Sequence, residues 1–213
     1  MNPTYTKNRR IGLLGGSFNP AHSGHLHISL HALNALGFDE VWWLVSPKNP
    51  LKDAASLASY EQRLASATRV AQGHRGIRVL DIESRLRTRF TYQTVAVIKK
   101  RFPGADFIWM MGADNLAQFH RWKRWGSVLA GVAIVVFDRA PYSHKALRSK
   151  AAMRARPYFL KSMDIRAIRR APALGYVHLR CNPVSSTYLR KKLGSGAFLG
   201  HNEPVDSNST PII

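Results

Sequence analysis

Apolar residues along this chain alternate between short continuous runs and stretches of helical period. Ile11-Gly12-Leu13-Leu14 reads as a buried strand that ends in the turn formers Gly15-Gly16-Ser17. Asn19-Pro20 then delays helix entry, because a residue before proline is pushed toward extended conformations. Leu26, Leu30 and Leu33 recur at i, i+4 and i+7 and Gly37 stops the run, the pattern of an amphipathic helix with a glycine C-cap. Val41-Trp42-Trp43-Leu44-Val45 is continuously apolar, so residues 11–45 predict a strand-helix-strand unit with parallel strands. Ser59-Tyr60-Glu61-Gln62 has the form of a capping box and opens a helix to about Ala71, followed by an alternating strand over Ile77–Ile82. A helix from Thr91 to about Phe102 is ended by Pro103-Gly104, and Phe107–Met111 and Val132–Phe137 predict two further buried strands. Residues 144–170 read as one or two surface helices and Tyr176–Leu179 as a late short strand. Repeated alternation of this kind predicts an α/β fold, a Rossmann-like doubly wound parallel sheet with helices on both faces. Ligands should then lie at the carboxyl ends of the strands, near Gly15, Ser46 and Gly112.

Composition narrows this picture. At 213 residues and 45% apolar content, one substantial core is expected: a basic arm over 1–10, a single domain over 11–194 and a disordered tail over 195–213. Thirty-two Lys and Arg against twelve Asp and Glu give a formal charge of +20, a field that attracts phosphates, nucleotides and nucleic acid alike. Cys181 is the single cysteine, which excludes an intrachain disulfide and a cysteine-based zinc cluster and fits a reducing cytoplasm. No apolar run has the length of a membrane span or of a signal peptide's apolar region.

Chemistry concentrates in Gly15-Gly16-Ser17-Phe18-Asn19-Pro20-Ala21-His22-Ser23-Gly24-His25, between the first strand and the first helix. It is not a Gly-x-Gly-x-x-Gly loop. Glycines let the backbone approach a polyphosphate, the helix start offers N–H groups, and His22 and His25, three residues apart, converge on one anion. A lone histidine here would be read as a surface residue; the pair in its strand-loop-helix setting reverses that reading. Zinc is disfavoured, since the local stretch supplies no third Cys, Asp or Glu ligand.

These residues resemble the signature of the His-x-Gly-His nucleotidyltransferase superfamily, in which both histidines contact the phosphates of a nucleoside triphosphate. A related signature occurs in class I aminoacyl-tRNA synthetases, but this chain is short for one and has no Lys-Met-Ser-Lys-Ser loop. Val184-Ser185-Ser186-Thr187-Tyr188-Leu189-Arg190 is similar to the superfamily's Ile-Ser-Ser-Thr-x-x-Arg motif, with Val for Ile. By itself Ser-Ser-Thr is a good helix cap, with Ser186 or Thr187 capping a short helix closed by Gly194. Beside the histidine motif, the resemblance implies an ATP site built from Gly15, Gly16, Ser17, Phe18, His22, His25, Ser185, Ser186, Thr187 and Arg190, with His22, His25 and Arg190 as the catalytic groups. Asn19 stands where the family often has Asp; either side chain can hold the turn.

Pantetheine-phosphate adenylyltransferases share both motifs, so the acceptor rests on other segments. Gly112-Ala113-Asp114-Asn115 with Phe119-His120-Arg121-Trp122 resembles the segment of nicotinate mononucleotide adenylyltransferases in which an aromatic ring stacks on the pyridine. That resemblance implies Asp114 and Trp122 as acceptor residues; otherwise Trp122 and Trp125 would be core residues of an amphipathic helix, as Trp125 is expected to be. Thr88-Arg89-Phe90-Thr91-Tyr92-Gln93-Thr94 is similar to the family's Thr-x-Tyr-Thr-x-Asp-Thr, which implies Thr91 against the nicotinate carboxylate. Phe90 and Gln93 depart from that pattern, and Thr91 could instead serve as a helix N-cap. Val45-Ser46-Pro47 and Lys52 match the loop after the second strand, where a lysine can reach phosphate; a solvated loop lysine is the other reading.

The reaction implied is transfer of AMP from ATP to nicotinate mononucleotide, with Mg²⁺ accompanying ATP and no dedicated metal site in the protein. A function of a different class, nucleic-acid binding, is suggested by Lys99-Lys100-Arg101, Arg121–Arg124 and Arg166–Arg170. No recognisable reading module accompanies these clusters, so salt-sensitive adhesion is the most they imply.

Overall fold

The computed structural model describes residues 7–47, 57–138, 142–179 and 186–193. Six strands, β1 (Arg10–Gly16), β2 (Glu40–Val45), β3 (Ile77–Leu80), β4 (Asp106–Gly112), β5 (Ala133–Phe137) and β6 (Leu174–Val177), form one sheet in the order β3-β2-β1-β4-β5-β6. Every pairing is parallel. The inner strands are buried on both faces and so run apolar rather than alternating, with all six residues of β2 and all five of β5 buried, whereas the edge strand β3 buries only Ile77.

Two cores lie on opposite faces. Ile11, Leu13, Trp42, Leu44, Trp109 and Ile134 point to one, where α4 (Thr91–Arg101), α5 (Ala113–Gln118), α6 (Trp125–Gly131) and α8 (Lys150–Ala155) cover the sheet. Leu14, Val41, Trp43, Ile108, Met110 and Phe137 point to the other, covered by α1 (Ser23–Asn34) and α2 (Tyr60–Ala71). The short helices α3 (Ile82–Arg85) and α7 (Ser143–Leu147) and the terminal α9 (Ser186–Leu193) complete the described elements. The order of strand addition reverses between β1 and β4, the parallel neighbours from which the crossovers run outward to either edge. This is the switch point at which doubly wound sheets leave a crevice for ligands.

Several boundaries depart from the sequence expectation. α1 ends at Asn34 with Ala35 as its right-handed cap, and Gly37, at φ +66°, turns the chain three residues later. The third strand stops at Leu80 because Asp81 begins the turn into α3. The 144–170 stretch is less superficial than its charge suggested: Ala146, Ala151, Ala152 and Ala155 are buried, with the basic residues projecting away. The last strand is Leu174–Val177 rather than Tyr176–Leu179. The expected tail over 195–213 lies outside the described residues.

Candidate active site

β1 delivers Gly15 and Gly16 to the switch point. A Cβ on Gly15 would lie 2.5 Å from the Trp109 ring of β4, so only glycine lets the two strands carry an indole between them here. Beyond β1 the chain turns through Ser17 and Phe18, the latter at φ +47°, and enters α1 at His22. Ser17 Oγ is buried and has no hydrogen-bond partner among the described residues.

The two histidines form a reciprocal cap. His22 Nδ1 accepts from Gly24 N at 3.1 Å, and His25 Nδ1 accepts from His22 N at 3.2 Å. Side chains have thus replaced the serine and glutamate of an ordinary capping box. The arrangement fixes chemistry as well as structure. With each Nδ1 accepting, a neutral ring carries its proton on Nε2. The rings are 3.9 Å apart, and His25 rests on an aromatic floor with Phe18 at 4.7 Å and Trp43 at 5.9 Å. Trp43 Nε1 donates to Ser29 Oγ, which donates to the His25 carbonyl, tying that floor to α1.

α9 closes onto this turn from the far end of the chain. Ser186 Oγ donates to the Pro20 carbonyl at 2.9 Å, and Arg190 Nη1 donates to the Asn19 carbonyl. Arg190 Nη2 also reaches Thr187 Oγ1 at 3.4 Å. Ser186 and Thr187 both lie within α9 as described, so Ser186 is a docking contact inside the helix. Ser185 and Gly194 lie outside the described residues. Asn19 Oδ1 accepts from Ala58 N at 3.0 Å, holding the chain that leads into α2, as an aspartate in its place could.

The residues expected around the acceptor lie on α4, on α5 and in the segment that follows α5. Thr91 is the first residue of α4; the cap is made instead by the Gln93 side chain, whose Oε1 accepts from Arg89 N and Phe90 N at 3.1 Å each. Asp114 stands in the first turn of α5, directly after β4. Trp122 lies in an extended residue after the 3₁₀ turn Phe119–Arg121, not in a helix, and packs edge-on against Trp109 (6.1 Å) and Phe119 (5.2 Å) while staying partly accessible. Trp125 opens α6 and packs on Phe119 at 5.9 Å, partly buried. Arg124, at φ +50°, lies over the Tyr92 ring at 5.2 Å and joins this segment to α4. Lys52 lies outside the described residues.

Sequence reasoning missed Arg63. This residue is 2% exposed, and its guanidinium donates to four carbonyls: Ser17 and Ser46 through Nη1 (2.8 and 2.7 Å), Pro47 through Nη2 (2.9 Å) and Ala58 through Nε (3.1 Å). One cation therefore binds together the turns after β1 and β2 and the entry to α2. The available signal was position: Arg63, Ala67 and Ala71 recur every four residues on the buried stripe of α2, where an arginine needs a reason to be. Glu83 was also overlooked. Burial pushes its carboxyl up to about 7, opposed by hydrogen bonds from Thr94 and Ser46.

The all-parallel sheet with helices on both faces is that of the Rossmann-like α/β class. The chain belongs to the cytidylyltransferase-like family, whose profile matches residues 13–192. Its relatives narrow this further. A Parvibaculum lavamentivorans protein named "Probable nicotinate-nucleotide adenylyltransferase" is 47% identical over 191 residues, 89% of this chain and 94% of that one. A Gluconobacter oxydans protein of the same name is 48% identical over 191 residues, covering 89% and 96%. The solved structure of Plasmodium falciparum nicotinic acid mononucleotide adenylyltransferase complexed with NaAD shares the fold, with a TM-score of 0.66 over 87% of this chain and 84% of that one at 18% identity.

Proposed function

We propose that this protein transfers the adenylyl group of ATP to nicotinate mononucleotide, giving nicotinate adenine dinucleotide and pyrophosphate in NAD biosynthesis. The observation that supports this reading is the docking of α9 onto the β1–α1 turn, where Arg190 donates to the carbonyl of Asn19, three residues before the paired imidazoles of His22 and His25 begin. N–H edges and a guanidinium around one helix N-terminus suit a polyphosphate. The names of the relatives supply the acceptor.

An oxygen of the acceptor's phosphate attacks the α-phosphorus, the new phosphoanhydride forms, and the bond to the β-phosphate oxygen breaks. A phosphate monoester with a second pKa near about 6 is mostly dianionic at neutral pH, so no general base is required. What remains is to align two anions and to absorb charge on the leaving pyrophosphate. His22 and His25 donate from Nε2, Ser17 Oγ and the start of α1 add donors, and Arg190 and Thr187 face the outer phosphates. Among the described residues no three His, Cys, Asp or Glu side chains converge to hold a metal ion. The gathered donors fit anions, so Mg²⁺ accompanying ATP would be held by phosphate oxygens and water and would offset their charge. Among the described residues no helix is long and apolar enough to cross a membrane; we read the protein as acting in the cytoplasm, where its substrates are.

On the acceptor side Trp122 stacks on the pyridine, Thr91 at the start of α4 receives the ring carboxylate, and Asp114 and Lys52 complete the pocket. Donors aimed at a carboxylate are left unpaired by an amide's NH₂, at a cost of roughly 1–3 kcal/mol. The expected preference for the acid over the amide is therefore about tenfold to a hundredfold in kcat/KM. Steady-state pyrophosphate release with nicotinate mononucleotide, its amide and phosphopantetheine at fixed Mg-ATP checks this. Equal use of acid and amide would remove the carboxylate pocket, and turnover with phosphopantetheine alone would reassign the acceptor. Trp122→Ala should weaken both pyridine acceptors and leave the KM for ATP near that of the parent.

A further inference from the structure

Glu83 takes no part in the reaction just described, yet its contacts join the segments assigned to the acceptor. It sits in α3, just past the end of β3. Its carboxylate accepts from Thr94 Oγ1 of α4 at 3.1 Å and from the side chain of Ser46 in the turn after β2. Its backbone carbonyl accepts from Thr88 N at 3.0 Å. Among the described residues no cation forms an ion pair with it.

Thr94 is fully buried and has one hydroxyl proton but three acceptors in reach: Glu83 Oε1 at 3.1 Å, Thr88 Oγ1 at 2.9 Å and the Phe90 carbonyl at 3.4 Å. A carboxylate draws that proton, and the Ser46 proton, toward itself. A carboxylic acid has a proton of its own to place, so it must donate to one of the same oxygens and turn that hydroxyl away. The charge state of one side chain thus selects between two hydrogen-bond patterns. The pattern with two donors on a carboxylate is the stronger.

Resting on the acceptor assignment above, we propose that Glu83 is a positioning residue for the acceptor: in its ionised state it locks the turn after β2 to the first turns of α4, and so holds Thr91 in place. Its carboxyl titrates near 7 because of burial, so both patterns are populated around neutrality. The titratable groups facing it are Tyr60 of α2, whose phenol is raised by burial and by Asp81 and Glu83, and Asp81 with its partner Arg85 on its own element. Ser46, Thr88 and Thr94, from the other elements packed on it, carry no charge.

The test is the pH profile of the two Michaelis constants, from about pH 5.5 to 8.5, for the parent, Glu83→Gln and Thr94→Val. In the parent the KM for nicotinate mononucleotide should fall about three- to tenfold as pH rises through a limb near 7, beyond the substrate phosphate's own limb near about 6, while the KM for ATP stays flat. Glu83→Gln should lose the limb near 7, keep the phosphate limb, and show an acceptor KM about fivefold higher at pH 8, with kcat and the ATP KM within about twofold of the parent. Thr94→Val, of matching shape, should lose the same limb while retaining the carboxyl. A parent-like profile in either variant overturns the proposal, and so does a parallel change in kcat and both Michaelis constants, the mark of general loosening. A flat parent profile refutes this role alone; no turnover of nicotinate mononucleotide by the parent at any pH refutes the substrate reading and this role with it.

Discussion

At the scale of single residues, the two histidines show how structure and reactivity are settled by one contact. Nδ1 of each ring accepts from a backbone N–H, which both caps α1 and puts the proton of the neutral ring on Nε2. His25 packs against the rings of Phe18 and Trp43. A positioned donor that follows charge into the transition state is worth about a hundredfold or more in rate. His25→Ala should therefore lower kcat at saturating ATP by about that factor, with a smaller change in the KM for ATP. Stopped-time pyrophosphate release reads this directly; a variant keeping more than half of the parent's kcat would remove His25 from the chemistry. The pair was legible in the sequence because its spacing is local. The tautomer was not, since it depends on which backbone groups the turn presents.

At the scale of elements, the site is an assembly of turns at the carboxyl ends of β1, β2 and β4, and Arg63 of α2 holds two of them together. Its four carbonyl partners come from three separate stretches of chain. Arg63→Ala would strand those acceptors and leave a void at a position that is 2% exposed. A loss of about 3 kcal/mol is expected, which for a chain of this size lowers Tm by about 6–12 °C. Differential scanning fluorimetry measures the shift; a change below about 2 °C would mean that water replaces the guanidinium at little cost. Both Michaelis constants should rise, because Ser17 belongs to the ATP turn and Ser46 to the acceptor side. The helical stripe of α2 was readable from periodicity, but a single arginine on it could not announce its partners in other turns.

At the scale of the whole molecule, the formal charge is +20. Among the described residues Lys100, Arg101 and Arg170 are exposed, whereas Arg10 and Arg63 are buried, and buried Glu40 bridges Arg9 and Arg78 at 3.3 Å each. Stability should nevertheless carry a pH signature from Glu83. Its carboxyl is raised from 4.5 to about 7 in the folded chain, so the folded state binds more protons between those values. The contribution is present in full below the unfolded value and is lost as pH rises through about 7, by at most about 3 kcal/mol. Glu83→Gln should therefore gain in Tm relative to the parent between pH 5 and pH 8, as followed by thermal unfolding; a difference that is constant or falls with pH would contradict the raised carboxyl. Continuous apolar runs and helical stripes determined the α/β class, the parallel sheet and its switch point, because strand burial and helix amphipathicity are written in local spacing. The histidine turn and the terminal Ser-Thr-Arg helix were each visible as motifs for the same reason. Only the tertiary structure decided that α9 docks on Asn19 and Pro20 across some 170 residues of sequence, that Trp122 leaves the helix to stand on Trp109, and that Arg63 and Glu83 tie the turns together. Those contacts join groups remote in sequence, and their geometry exists only once the sheet has brought the strand ends side by side.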